Sequence, residues 1–317
     1  MFSAEYLNAL SAETGFQAAS LQKQMALIRL LTQIRKHPLL SGAYVLRGGT
    51  AINLFWLDLP RISVDIDLNY VGSPSLEVMQ RERPVLEKEL RKIIEAEGII
   101  VEHSAVEHAG GKWRLRAKSA FGGNHALELD LNYLMRIPIW GIEVRKAHSL
   151  DPDCAVDCTC VSFAELFAGK IKALLDRSAA RDLYDVYSLS RRFVDFDQDK
   201  LRKALILIGV TSDDDWRKKD LSSIEKIDQR MIEQELTPLL RSNEEPDLQR
   251  MKEKVETFLS DLMKYDEAEQ QFLRLFLDEG IYEPELLFRD SEQAQRLKDH
   301  PAVLWKLHHH RQYFGLG

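Results

Sequence analysis

The strongest chemical signal in the sequence is a pair of carboxylates two residues apart in "SVDIDLNY". Successive side chains of an extended segment point to opposite faces. Val64, Ile66 and Leu68 therefore share one face, and Asp65, Asp67 and Asn69 the other. Left alone, the two carboxylates repel each other. Around Mg²⁺ they form the hard-oxygen ligand set that this ion prefers. A half-solvated strand with outward acids would give the same local pattern. However, aspartate is disfavoured in strands, and no Lys or Arg lies within this one; Arg61, just before it, is the nearest candidate partner. The segment "ALELDLNYL" repeats the design, with Leu127, Leu129 and Leu131 on one face and Glu128, Asp130 and Asn132 on the other. If the two strands are neighbours, Asp130 or Glu128 joins the first pair. Three carboxylates from two strands could hold two Mg²⁺ ions for in-line phosphoryl or nucleotidyl transfer.

Upstream, "LRGGTAINL" reads as a strand, a Gly48-Gly49 turn, and a helix with Thr50 near its start. Glycines let backbone approach a ligand closely, and a helix N-terminus offers free N–H groups and a favourable dipole to phosphate. Thr50 could cap the helix, donate to a phosphate, or both. The turn is neither a P-loop nor a G-x-G-x-x-G fingerprint, and a plain tight turn would also explain it. A third cluster lies in "FAGKIKALLDRSAARDLYDVYSL". Lys170 flanks an apolar helical stripe and could reach a triphosphate as a point charge, or simply snorkel. Asp182 and Asp185, three apart, share a helix face with Arg181 close by; they are either a solvated ion-paired face or a charged cluster at a nucleotide cleft.

The elements that must position these groups follow from periodicity. Residues 18–35 carry apolar residues at helical spacing. "AYVLR" is a strand, "TAINLFWL" a helix and "SVDIDLNY" a strand. "SPSLEVMQRERPVLEKELRKIIEAEG" is a helix with a bend expected at Pro84. Three strands separated by "AGG" and "GGN" form an antiparallel meander. After a loop around Pro138 comes a short strand, residues 156–161, and then helices: two in 162–193, and further candidates at 198–208, 248–265 and 267–278. The order predicts an α+β fold, a small mixed sheet followed by a helical half. The expected domains are 1–160 and 161–317, the second supplying Lys170 and Asp182 or Asp185 to the cleft.

The 317 residues fit about two domains, and a net charge of −7 argues against a broad nucleic-acid coat while leaving room for a local basic groove. Two local basic stretches stand out: Arg81, Arg83, Lys88, Arg91 and Lys92, which read best as a solvated helix face, and Lys306, His308–His310 and Arg311 beside Trp305 and Tyr313. The histidine triplet reads as native sequence. Cys154, Cys158 and Cys160 fit neither a disulfide framework nor a zinc pattern; they read as structural thiols of a reducing compartment. No apolar run approaches a membrane span and no leader is visible, so the cytoplasm is the expected location.

Phosphate-binding turn, helix, then carboxylates is the order of a polymerase-β-type nucleotidyltransferase. More specifically, "LRGGTAINLF…RISVDIDLNY" with "FAGKIKALL…RSAARDLYDVYSL" resembles the signature segments of AbiEii/AbiGii-type toxins, which include the MenT toxins. The likeness runs from about Thr14 to Leu189, and beyond it the chain matches only in being helical. Fifteen residues separate Gly49 from Asp65; most polymerase-β-type enzymes use a shorter gap, which this toxin family exceeds. The resemblance implies that Gly48, Gly49 and Thr50 form the nucleotide-phosphate turn, with Ser63 and Arg61 completing an R-x-S-x-D-x-D-L segment. It further implies that Asp65 and Asp67 bind metal, with Asp130 as third carboxylate, and that Lys170 with Asp182 or Asp185 supplies the later motif residues. The implied activity is Mg²⁺-dependent transfer of a nucleoside monophosphate from an NTP to tRNA, at its 3′ end, blocking translation. A cognate antitoxin, commonly a separate DNA-binding protein that need not touch the toxin, is implied too. Transfer to a protein hydroxyl and nucleotide binding without turnover are the rival expectations.

Overall fold

The computed structural model describes residues 2–104, 109–148, 150, 156–192 and 195–314. Cys154 and the side chains of His310, Arg311 and Tyr313 lie outside the described residues. The chain divides into two compact units: Met1–Arg136 with Ile142–Val161 and Glu233–Pro246, and Ile137–Gly141 with Ser162–Ile232 and Asp247–Gly317.

The first unit contains α1 (Ala4–Thr14), α2 (Ala18–Lys36), α3 (Leu40–Ala43), β1 (Tyr44–Arg47), α4 (Gly48–Phe55), β2 (Asp65–Tyr70), α5 (Leu76–Ala96), β3 (Ile100–Ser104), β4 (Gly110–Lys118), β5 (Asn124–Asn132), β6 (Ile142–Lys146) and β7 (Asp157–Val161). The strands form one seven-stranded sheet in the order β3-β4-β5-β2-β1-β7-β6. β3, β4 and β5 are the expected antiparallel meander. β2 joins it by pairing parallel to β5, and β1 runs antiparallel to β2, so the fold is α+β around a mixed sheet. The apolar alternation sets which face is core: Ile66 and Leu68 of β2 and Leu127, Leu129 and Leu131 of β5 are all buried. Burying each such side chain contributes roughly 1.5–3 kcal/mol. A one-residue slip of β2 would turn its aspartates inward.

Three departures from the sequence reading are local. α4 begins at Gly48, two residues early, with Arg47 at the N-cap and no side-chain cap bond, so Thr50 is not the cap. α5 continues through Pro84 as one helix. β6, read from sequence as loop, is a strand at the sheet edge paired to β7. Its Ile142 and Val144 are 52% and 63% exposed, because an edge strand need not hide both faces.

The return segment Glu233–Pro246 is tied into this unit. Leu239 accepts a hydrogen bond from the Ile62 amide at 2.8 Å, and the Ser242 amide donates to Gly15 at 2.8 Å. Arg241 donates to the Thr14 carbonyl at 2.9 Å and lies over the Phe16 ring. These ties reach the turn between α1 and α2 and the loop between α4 and β2. In that loop Asp58 and Leu59 both adopt left-handed backbone, φ 52° and 55°, and His148 pairs with Asp58 at 2.6 Å.

The second unit is helical: α6 (Phe163–Arg177), α7 (Ala180–Arg192), α8 (Gln198–Gly209), the single turns α9 (Ser222–Glu225) and α10 (Gln229–Met231), α11 (Leu248–Leu262), α12 (Glu267–Arg274), α13 (Ser291–Leu297) and α14 (Pro301–Phe314). α11 stops three residues before its expected end. α12 gives way at Leu275 to a wide turn that closes at Gly280. α6 starts on Ser162, whose hydroxyl accepts from the Glu165 amide, and ends on Ser178 in left-handed conformation. Its Leu166, Phe167, Ile171, Leu174 and Leu175 are buried, and Phe167 stacks on Phe258 of α11. Gly209 is required by close approach: a Cβ there would lie 2.3 Å from the Trp216 ring.

Cys158 and Cys160 are free thiols buried on β7. Burial pushes them up to about 11 and about 12, so they are inert at neutral pH.

Candidate active site

The strand register assembles the acids that the sequence singled out. β2 and β5 set Asp67 beside Asp130 and Asp65 beside Glu128. β1 sets Arg47 beside Asp67, and β4 sets Lys112 beside Asp130 and Arg114 beside Glu128. Across four adjacent strands, one lateral row reads Arg47, Asp67, Asp130, Lys112. The next row reads Asp65, Glu128, Arg114. Neighbouring strands lie roughly 4.8 Å apart, so each row is a tight series of like charges closed by a cation at one or both ends.

The contacts follow. Arg47 Nη2 donates to Asp130 Oδ2 at 2.8 Å and sits 4.0 Å from Asp67 Oδ1. Lys112 Nζ is 2.9 Å from Glu128 Oε2. That hydrogen bond, the Glu128 charge and the fields of Asp65 and Asp130 hold the lysine above its usual range, against partial burial. Arg47, Asp67 and Asp130 are each about a quarter exposed. The face is therefore hydrated, and its ion pairs are exchangeable.

Gly48 packs directly on this face. It has φ +73°, and a Cβ at this position would lie 2.0 Å from Asp67 Oδ2. Only glycine combines that backbone with that proximity. Gly49 accepts from Asn53 Nδ2 at 2.9 Å, which braces the first turn of α4. Thr50 is buried. Its hydroxyl donates to the Asp65 carbonyl, and its oxygen is 2.9 Å from Ser63 Oγ. The geometry thus ties Thr50 and Ser63 to the start of β2, fixing where Asp65 leaves the loop. Arg61 is buried and donates to the Ile62 carbonyl.

Asp65, Asp67, Asp130 and Glu128 are all oxygen donors, and that chemistry fits Mg²⁺. Among the described residues, no three such side chains already converge at metal-holding distance. The carboxylates are brought together by register and held by Arg47 and Lys112.

Lys170, Asp182 and Asp185 meet in the helical unit. Lys170 Nζ lies 2.8 Å from Asp182 Oδ1 and 3.0 Å from Asp185 Oδ2, and Arg177 donates to both oxygens of Asp182 at 2.6 and 3.0 Å. The lysine side chain is 7% exposed and both aspartates are fully buried. Burial opposes ionisation of Asp182, but the Lys170 charge and the Arg177 bonds overcome it and hold the carboxyl well below its usual range. On the same helix as Lys170, Glu165 is sealed. Burial pushes it up to about 7, while the Ile139 amide, donating at 2.7 Å, and the Trp140 amide pull the other way.

The sequence reading missed the cations of the sheet face. Arg47 and Lys112 lie one strand outside the acids and become visible only through register. On the two basic stretches it did name, Arg83, Arg91 and Lys92 pair with Glu87, Glu95 and Glu89 of their own helix, as a solvated face does. Lys306 pairs with Asp213 at 3.1 Å, and the His309 ring packs at a tilt against Trp305.

Comparison with known proteins fixes the class. The family model described as nucleotidyl transferase AbiEii toxin, type IV toxin–antitoxin system, matches residues 29–275. The chain belongs to this family and is a nucleotidyltransferase. Among solved structures it is similar to MenT4, a nucleotidyltransferase toxin of Mycobacterium tuberculosis H37Rv. The TM-score is 0.67 with 16% identity over 96% of this chain and 99% of that one, a likeness of fold. No curated protein matches the chain significantly. Membership implies an NTP substrate and an antitoxin partner. Among the described residues no helix is long and apolar enough to cross a membrane.

Proposed function

We propose that this enzyme transfers a nucleoside monophosphate from an NTP to the 3′ end of tRNA, with Mg²⁺ held by Asp65, Asp67 and Asp130, and so blocks translation. The observation that carries the reading is the lateral row Arg47, Asp67, Asp130, Lys112 with Gly48 packed against it. In the reaction the acceptor hydroxyl oxygen attacks the α-phosphorus. The bond between the α-phosphorus and the bridging oxygen breaks, and pyrophosphate leaves with the electron pair. The hydroxyl proton passes to solvent across the hydrated acid face. A divalent cation bound there supplies neutralisation of phosphate charge and a more acidic attacking hydroxyl. Gly48 and Gly49 let the first amides of α4 approach the phosphates. Thr50 and Ser63 hold the start of β2 so that Asp65 and Asp67 stay aligned. Catalysis is mostly positioning and charge neutralisation.

The test is incubation with Mg²⁺ and each α-labelled NTP in turn, with total tRNA or with cell protein. Label on tRNA, lost in Asp65→Ala and Asp67→Ala, is expected. Label on protein would replace the acceptor with a protein hydroxyl. Tight NTP binding with no label anywhere would sink the transfer reading.

A further inference from the structure

The strand beside the acids carries a charge pattern of its own. In β4, "GGKWRLRAK", Trp113, Leu115 and Ala117 are buried, and Lys112, Arg114, Arg116 and Lys118 alternate with them on the opposite face. This is the face that holds Asp130 and Glu128, because Lys112 pairs with Asp130 and Arg114 with Glu128 in the ladder. Four cations thus stand in file, one every two residues. The file starts beside the acid row at Lys112 and runs about 20 Å along the strand to Lys118. Three residues later, at the turn before β5, Phe121 is 44% exposed.

Two of the four cations are engaged, Lys112 with Glu128 and Arg116 with Glu102, in pairs that are largely exposed on both sides. Such exposed pairs contribute little and are readily exchanged. Arg114 and Lys118 have no ion-pair partner among the described residues. A file of cations that starts at a reacting centre and ends at an exposed aromatic ring suits a single-stranded nucleic acid: phosphates track the cations and a base stacks on the ring. A nucleotide alone is too short to use the far end of the file. An acidic protein surface would have no need of the ring.

We propose that Lys112, Arg114, Arg116 and Lys118 of β4, ending at Phe121, form the track that holds the backbone of a single-stranded RNA acceptor while its terminal hydroxyl lies at the acid row. This inference rests on the RNA-acceptor reading of the function and locates the acceptor's path.

The test measures binding of a fluorescently labelled single-stranded oligoribonucleotide to the full chain, without NTP or Mg²⁺, over a series of salt concentrations. Binding to the wild type should weaken with salt. Arg114→Gln/Lys118→Gln should bind about tenfold more weakly, and its slope of log affinity against log salt should be shallower by about 0.7 per lost phosphate contact. Phe121→Ala should weaken binding without changing the slope. Arg81→Gln/Lys88→Gln on α5 is the charge-matched control and should behave as wild type. All these side chains are exposed, so melting curves should be unchanged.

Wild-type affinity and slope in Arg114→Gln/Lys118→Gln would overturn the track, as would an equal loss in the α5 control. Equal competition by an acidic polypeptide, with Phe121→Ala silent, would also overturn it and assign the file to a protein partner. The two readings fail separately. Transfer to tRNA with normal RNA binding by the β4 variant sinks only the track. Track-dependent RNA binding with label appearing only on protein sinks only the acceptor.

Discussion

The acid–cation cluster on the sheet and the one around Lys170 are built in opposite ways. On the sheet, Asp65, Asp67 and Asp130 lie on a hydrated face, with one cation shared loosely between two of them. In the helical unit, Asp182 and Asp185 are fully buried, and one lysine is clamped between them. The first arrangement leaves lone pairs available to a ligand. The second satisfies them internally. Burial decides the difference: an exposed pair contributes little, whereas a buried charge that loses its partner is expensive. The sheet cluster is poised for exchange and the helical cluster for permanence, and both features suit an enzyme that must bind and release a polyanion.

The contrast can be broken at several points. The largest effect is expected from Lys170→Met, which removes the cation shared by two fully buried carboxylates, while Asp182 keeps Arg177, and should destabilise the protein by about 3 kcal/mol. Urea unfolding measures it. A wild-type midpoint would show that the clamp is not structural. Asp67→Asn should do the reverse, lowering nucleotidyl transfer by roughly 10²–10³-fold, or about 3–4 kcal/mol, while stability stays within about 0.5 kcal/mol. Matched melting and transfer assays decide it, and a large stability loss would erase the contrast.

Next comes pH. Glu165 keeps its proton up to about 7 in the folded chain, whereas its ordinary value is 4.5. The stability this gives is full below pH 4.5 and lost as pH rises to 7, at most about 3 kcal/mol. Asp182 has the opposite sign: its contribution is present above its ordinary value of 3.8 and lost as pH falls through its depressed one. Glu165→Gln should therefore flatten the stability profile between pH 4.5 and 7 and leave the acid limb unchanged. An unaltered slope there would remove Glu165 from the account. The smallest effect is expected from Gly48→Ala. It should cost about 1–2 kcal/mol in left-handed backbone and also displace Asp67, so transfer should fall by more than stability does. Wild-type transfer in this variant would show that the turn does not need to touch the acid.

The acids of the sheet were legible in the sequence because strand alternation converts order along the chain directly into faces. "SVDIDLNY" and "ALELDLNYL" each announce an apolar side and an acidic side, and the parallel pairing of β2 with β5 then sets them in register. The cations were not legible. Arg47 joins the site only because β1 is the next strand over. The basic file on β4 is diluted by Trp113, Leu115 and Ala117, so a search for runs of like charge passes over it. The helical cluster was half legible. Helical spacing put Asp182 and Asp185 on one face and Lys170 on the flank of another helix, but their closure into a sealed triad depends on how α6 packs on α7. β6 and the return segment are placed by contacts distant in sequence, which no local pattern encodes.

That return segment has a consequence for the birth of the protein. Leu239, Arg241 and Ser242 fasten the loop before β2 and the turn after α1, yet they follow a long excursion through the helical unit. A ribosome must polymerise 246 of the 317 residues before the sheet unit has all its parts. Domains tend to fold as they emerge, but this one waits on a late strap. A nascent or prematurely terminated chain therefore carries its acids on a scaffold that lacks this strap.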